Sequence, residues 1–190
     1  MSALTVASLL ALLLAGPRVV VAASFTLGQE ERSDAVRVGV RSVTSESFDA
    51  EWRVASSSGE SVTVMTPFHR LVLAARHAAF KNERLKDDEP EKLLRSQQDR
   101  LVIWAQLRGP REDFARFYAP RILLDDRAIE PAFVQNERTA LRTDGGGYLA
   151  RCVYRFPTKD MTEKARLLLV IRDADGRDAE IGRASCRERV

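Results

Sequence analysis

Tyr148-Leu149-Ala150-Arg151-Cys152-Val153-Tyr154-Arg155-Phe156 is the stretch that decides the fold. Tyr148, Ala150, Cys152, Tyr154 and Phe156 fall on alternate positions, and Arg151 and Arg155 stand between them. Apolar residues recurring with a period of two describe a strand with one face buried and one in water. Cys152 belongs to the apolar set and reads as a small buried hydrophobe. A catalytic thiol needs an activating, partly exposed setting that the sequence around it does not supply.

The same period recurs on either side. Leu101, Ile103, Ala105 and Leu107 make one face of a strand, with Val102 and Trp104 opposite. Phe48, Ala50, Trp52 and Val54 alternate with charged residues and predict another strand. The turn Ser56-Ser57-Ser58-Gly59 leads from it to a hairpin partner carrying Val62 and Val64. Val36, Val38 and Val40 predict a first strand. Residues 128–142 read as extended, with a break near Pro131, and Asp144-Gly145-Gly146-Gly147 turns the chain into the deciding stretch. Leu167 to Ile171 is continuously apolar, as in a strand buried on both faces. Asp173-Ala174-Asp175-Gly176 is a turn, with a further strand expected from Arg177.

Residues 67–98 follow a different period. Thr66 is placed to cap a helix that has Pro67 at its first position. Phe68, Leu71, Val72, Ala75 and Ala79 then form a helical stripe. Asp88-Glu89-Pro90-Glu91 predicts a second, shorter helix through Gln98, after a charged linker. The expected fold is therefore mainly β, an Ig-like antiparallel β-sandwich with a two-helix insertion. The alternative is an α+β fold with the helices as one layer. Residues 35–180 form a single domain in this reading, and 24–34 are a flexible lead-in.

The two ends are read separately. Leu4 to Ala15 is an apolar run of 12 residues, short of the roughly 20 that span a bilayer. Gly16-Pro17 breaks it, and Val21-Ala22-Ala23 offers small residues ahead of a cut before Ser24. Residues 1–23 are thus expected to be a signal peptide, although no basic residue precedes Leu4. Residues 181–190 read Ile-Gly-Arg-Ala-Ser-Cys-Arg-Glu-Arg-Val. All ten match one reading frame of a standard short-read sequencing adapter. Natural coding sequence is therefore expected to stop near Glu180, cutting short the strand that starts at Arg177.

These assignments change the charge. The tail carries three Arg and one Glu and the N-terminal segment one Arg, so residues 24–180 hold 26 basic and 26 acidic side chains. The pI of about 9.1 for the whole chain then gives no footprint for nucleic acid. Cys186 lies in the tail, which leaves Cys152 without a partner for an intramolecular bridge.

Catalytic and metal motifs are sparse. His69 and His77 are eight residues apart on one predicted helix, some 80° around it and about 12 Å along it, too far to share a metal. They read as two partly exposed helix histidines. Asp173-x-Asp175-Gly176 places its glycine too early for an EF-hand loop. Gly145-Gly146-Gly147 lacks the Lys-Ser or Lys-Thr of a phosphate loop. Asp87-Asp88 and Asp125-Asp126 fall in predicted loops, without the apolar surround of paired catalytic carboxylates.

A surface remains. Arg151 and Arg155 lie opposite Cys152, and Gln135-Asn136-Glu137-Arg138-Thr139 is a polar run in an otherwise strand-like segment. If these segments pair across the glycine turn, Asn136, Arg138, Arg151 and Arg155 belong to one hairpin, in a register the sequence leaves open. The sharp reading is a patch for an anionic group, and the plain one is a solvated face of ion pairs. The functional expectation is an exported, periplasmic or secreted, non-enzymatic binding module of the cell envelope. Its partner would be a protein or an anionic ligand, with no nucleic acid, no cofactor and no stable membrane insertion after signal cleavage. The alternative is an envelope hydrolase using the helical insertion, with His69 or His77 as base.

Overall fold

A computed structural model describes residues 26–48, 50–56, 58–124, 127–159, 161 and 166–185. Residues 1–23, expected to be a signal peptide, residues 186–190 of the tail and the Asp125-Asp126 pair lie outside the described residues. The chain runs α1 (Gln29–Arg41), β1 (Arg53–Ala55), β2 (Ser61–Met65), α2 (Pro67–Phe80), α3 (Glu89–Gln97), β3 (Arg100–Gly109), β4 (Ala119–Leu124), β5 (Arg127–Ile129), β6 (Phe133–Gln135), β7 (Leu141–Arg142), β8 (Tyr148–Pro157), β9 (Arg166–Arg172) and β10 (Asp178–Ser185). The strands make two antiparallel sheets. The larger has the order β1-β2-β3-β8-β6, with β7 also on β8, and the smaller has the order β10-β9-β4-β5.

Alternation in the sequence becomes burial in the sheets. Ile103, Leu107, Ala150, Cys152, Tyr154 and Phe156 of the larger sheet share one apolar core with Ile122, Leu124, Leu169 and Ile171 of the smaller. Each large side chain moved from water into such a core contributes ~1.5–3 kcal/mol. The β9 run is buried on both sides only in part. Leu167, Leu169 and Ile171 enter the shared core, Val170 is buried and Leu168 is half-buried.

The three helices have a core of their own, built from Leu27, Ala35, Phe48, Trp52, Leu71 and Val72. Helix α2 starts where the sequence places it, with the Thr66 hydroxyl accepting the His69 backbone N–H at 3.1 Å. Helix α3 also forms, but the Asp88 side chain makes no cap and pairs instead with Lys92. At the helical end of the larger sheet, Met65 and its register partner Val102 are buried, although they lie on the face turned away from the shared core.

Four expectations are corrected. The segment with Val36, Val38 and Val40 is the helix α1, not a strand, and it begins at Gln29 inside the expected lead-in. Three alternating valines fit either period over so short a run, and packing against α2 decides between them. Gly39 sits where the two helices meet: a Cβ on it would lie 2.4 Å from the Val72 carbonyl oxygen. Second, Phe48 lies in a turn and Ala50–Trp52 form a 3-10 turn, so the strand expected over 48–54 shrinks to β1. Phe48 and Trp52 enter the helical core instead of the sheet core. Third, β4 adds a strand where the sequence pattern predicts none, because Pro120 interrupts that pattern before Ile122 and Leu124 establish it. Fourth, a strand does form after Arg177. It forms as β10 on β9, using residues 181–185, with a register shift between Glu180 and Gly182 that leaves Ile181 in the shared core.

Candidate functional site

The β3–β8 ladder runs through ten register pairs, from Arg100↔Pro157 to Gly109↔Tyr148. Because side chains alternate, the burial of Ala150, Cys152, Tyr154 and Phe156 forces Arg151, Val153 and Arg155 onto the opposite face. Their partners Gln106, Trp104 and Val102 lie on that face too, and β6 adds Phe133 opposite Arg155 and Gln135 opposite Val153. The register left open by the sequence is thereby set.

Trp104 stands in the middle of this outward face and is 46% exposed. Its register partners are Thr63 on β2 and Val153 on β8. Arg151 and Arg155 flank Val153, about 13 Å apart along the strand. The Arg155 guanidinium lies over the Phe133 ring, 4.4 Å from its centroid. Arg108 donates its Nε to the Gly59 carbonyl at 3.2 Å, tying β3 to the turn between β1 and β2. Beyond Arg155 the face opens into a cleft of about 340 Å³, lined by Arg100, Arg155, Phe133 and Asp99 among others.

The charge pattern is one-sided. The strands of the larger sheet carry six arginines, five of them on the outward face, and no Asp or Glu. Among the described residues, carboxylates occur around its margins. Glu137 accepts the Arg151 backbone N–H at 2.6 Å, and Asp99 stands just ahead of β3. Guanidinium groups stay protonated at any pH a protein survives, so the positive sign of this face is fixed. The acidic strand residues are on the smaller sheet. There Asp178 takes a bidentate pair of hydrogen bonds from Arg121, at 3.1 and 2.6 Å, and another from Arg172.

The four residues read from the sequence separate into two groups. Arg151 and Arg155 share the outward face. Asn136 does not join them. Its Nδ2 donates to the Tyr118 carbonyl at 2.7 Å and its Oδ1 accepts the Tyr154 hydroxyl at 3.1 Å, so it clamps the loop after β6. Arg138 is exposed in that same loop, outside the strands. Trp104, Phe133, Gln106, Arg100 and Arg108 complete the face and were not singled out in the sequence. An available signal was Trp104 itself, a large aromatic on the side of its strand opposite the buried set.

The histidines are not a pair of partly exposed side chains. His69 is 1% exposed and lies against Trp52, whereas His77 is exposed in the last turn of α2. Cys152 is buried and unbridged, and burial pushes its thiol up, away from the reactive thiolate. The Asp173 carboxylate accepts the backbone N–H groups of Asp175 and Arg177, each at 2.9 Å, which makes 173–176 a hairpin turn. Among the described residues no cluster of three His, Cys, Asp or Glu could hold a metal ion, and no helix is long and apolar enough to cross a membrane. Comparison with protein-family models, with curated proteins and with solved structures finds no match.

Proposed function

We propose that the protein is an exported, non-enzymatic binding module of the cell envelope, and that it binds an anionic partner on the outward face of the larger sheet. The observation that carries this is the absence of Asp and Glu from that sheet's strands, together with the arginines around the exposed Trp104. Residues 24–180 carry balanced charge as a whole, so a strand surface of one sign is a local feature. The accompanying fold reading is a β-sandwich, Ig-like in placing two antiparallel sheets over one core, with three helices as an added layer. The hydrolase alternative draws no support from His69, which is sealed beneath Trp52.

The test is retention of the chain on two immobilised polyanions, dextran sulfate and polygalacturonate, in about 0.05 M salt, where the screening length exceeds 10 Å. The wild-type chain should bind and elute as salt rises. A variant with Arg100, Arg151 and Arg155 all replaced by Gln should pass through. No retention on either matrix, or equal retention of wild type and variant, would overturn the assignment of this face.

A further inference from the structure

We infer that the occupant of this face is an acidic polysaccharide, a chain of sugars bearing carboxylates, laid across β3 and β8 with one ring on Trp104. The inference rests on the binding reading above and names its ligand class. Three features of the face carry it. The first is Trp104, a flat exposed ring between Thr63 and Val153 and therefore next to no charge in its own row. The C–H face of a pyranose stacks on such a surface, while the hydroxyls at its rim turn outward. Gln106 and Gln135 occupy outward positions near it, and an amide both donates to and accepts from hydroxyls.

The second feature is the arginine spacing. Arg151 and Arg155 stand on either side of the Trp104 row, so a chain stacked there places carboxylates against planar guanidinium forks that accept them in pairs. The cleft at Arg100 and Arg155 continues the path and would seat a further sugar ring. The third feature weighs against a denser polyanion. Asp99 lines that same cleft. A carboxylate there accepts hydrogen bonds from sugar hydroxyls and repels closely spaced phosphates or sulfates. Single-stranded nucleic acid also binds through successive aromatic platforms. Here one face of the Phe133 ring is taken by the Arg155 guanidinium, which leaves Trp104 the more open of the two rings, 46% exposed against 38%.

Isothermal titration of the full chain with polygalacturonate, neutral dextran, dextran sulfate and oligothymidylate separates the possibilities. Polygalacturonate should bind best and dextran not at all. Trp104→Ala should weaken polygalacturonate on the order of tenfold, a stacking-sized loss. Phe117→Ala, at an exposed aromatic off the sheet, should leave it unchanged. Circular dichroism of both variants checks that the fold is intact. Dextran sulfate or oligothymidylate binding as tightly as polygalacturonate would overturn the polysaccharide inference while leaving the anion-binding face standing. So would polygalacturonate binding that ignores Trp104. Failure of every polyanion to bind would overturn both.

Discussion

The imidazole of His69 lies flat on the indole of Trp52, with ring centroids 4.4 Å apart and planes 11° from parallel. Phe48 tilts against the same indole at 5.1 Å, and the Arg76 guanidinium covers Phe48 at 4.1 Å. This pile fastens Phe48 and the 3-10 turn Ala50–Trp52 to helix α2. Removing its central ring leaves a cavity that the neighbouring rings cannot fill. Trp52→Ala is expected to cost about 3–5 kcal/mol, read from urea unfolding. A cost below about 1 kcal/mol would show that the pile does not hold the helical layer in place.

Gly39 marks the closest approach of α1 to α2. A methyl group there would meet Val72, Ala75 and Arg76 at 2.4 to 2.9 Å, two of the three atoms being backbone. Gly39→Ala should destabilise by about 1–3 kcal/mol, despite the better helix propensity of alanine. Gly145→Ala provides the control, because nothing lies within 4 Å of the added carbon. Thermal unfolding of the two variants should differ clearly, and equal stabilities would contradict this helix crossing.

Asp178 carries the pH prediction. Arg121 and then Arg172 hold its carboxyl down at about 2, below the ordinary 3.8. The folded value lies below the unfolded one, so its stabilising effect is present above pH ~4 and disappears as the pH falls through about 2. The stability difference between wild type and Asp178→Asn should therefore be visible at neutral pH and vanish in strong acid. A carboxyl titration by NMR with a midpoint near the ordinary value would contradict the two arginine contacts.

Tyr154 is fully buried and donates its hydroxyl to Asn136. Tyr154→Phe keeps the ring packing but strips one partner from the Asn136 amide, at an expected cost of about 1–2 kcal/mol. Burial also pushes the Tyr154 phenol far above its ordinary value. Its contribution is thus complete below pH ~10, where unfolded tyrosine begins to ionise, and falls as pH rises further. Unfolding in alkali should be less steep in the Phe variant, which an unfolding curve against pH checks.

The sheet core was legible because the strands carrying Leu101–Leu107 and Tyr148–Phe156 alternate over enough residues to exclude a helix. Val36, Val38 and Val40 were misread because three positions cannot separate the two periods, and the deciding contact, Gly39 on Val72, comes from a distant segment. The burial of His69 was hidden for the same reason, since Trp52 reaches it only through the tertiary fold. Of the candidate face, the outward side of Arg151 and Arg155 followed from alternation alone. The inward turn of Asn136 did not, because it depends on Tyr118, 18 residues away.

The outward face of β3 and β8 is the proposed seat of the anionic partner. Arginine-specific labelling with phenylglyoxal, read by mass spectrometry with and without saturating polygalacturonate, tests this residue by residue. Arg100, Arg151 and Arg155 should be shielded by the ligand, while Arg37 on α1 and Arg172 on the smaller sheet keep their labelling. Shielding of Arg37 or Arg172 with Arg151 and Arg155 unchanged would contradict it.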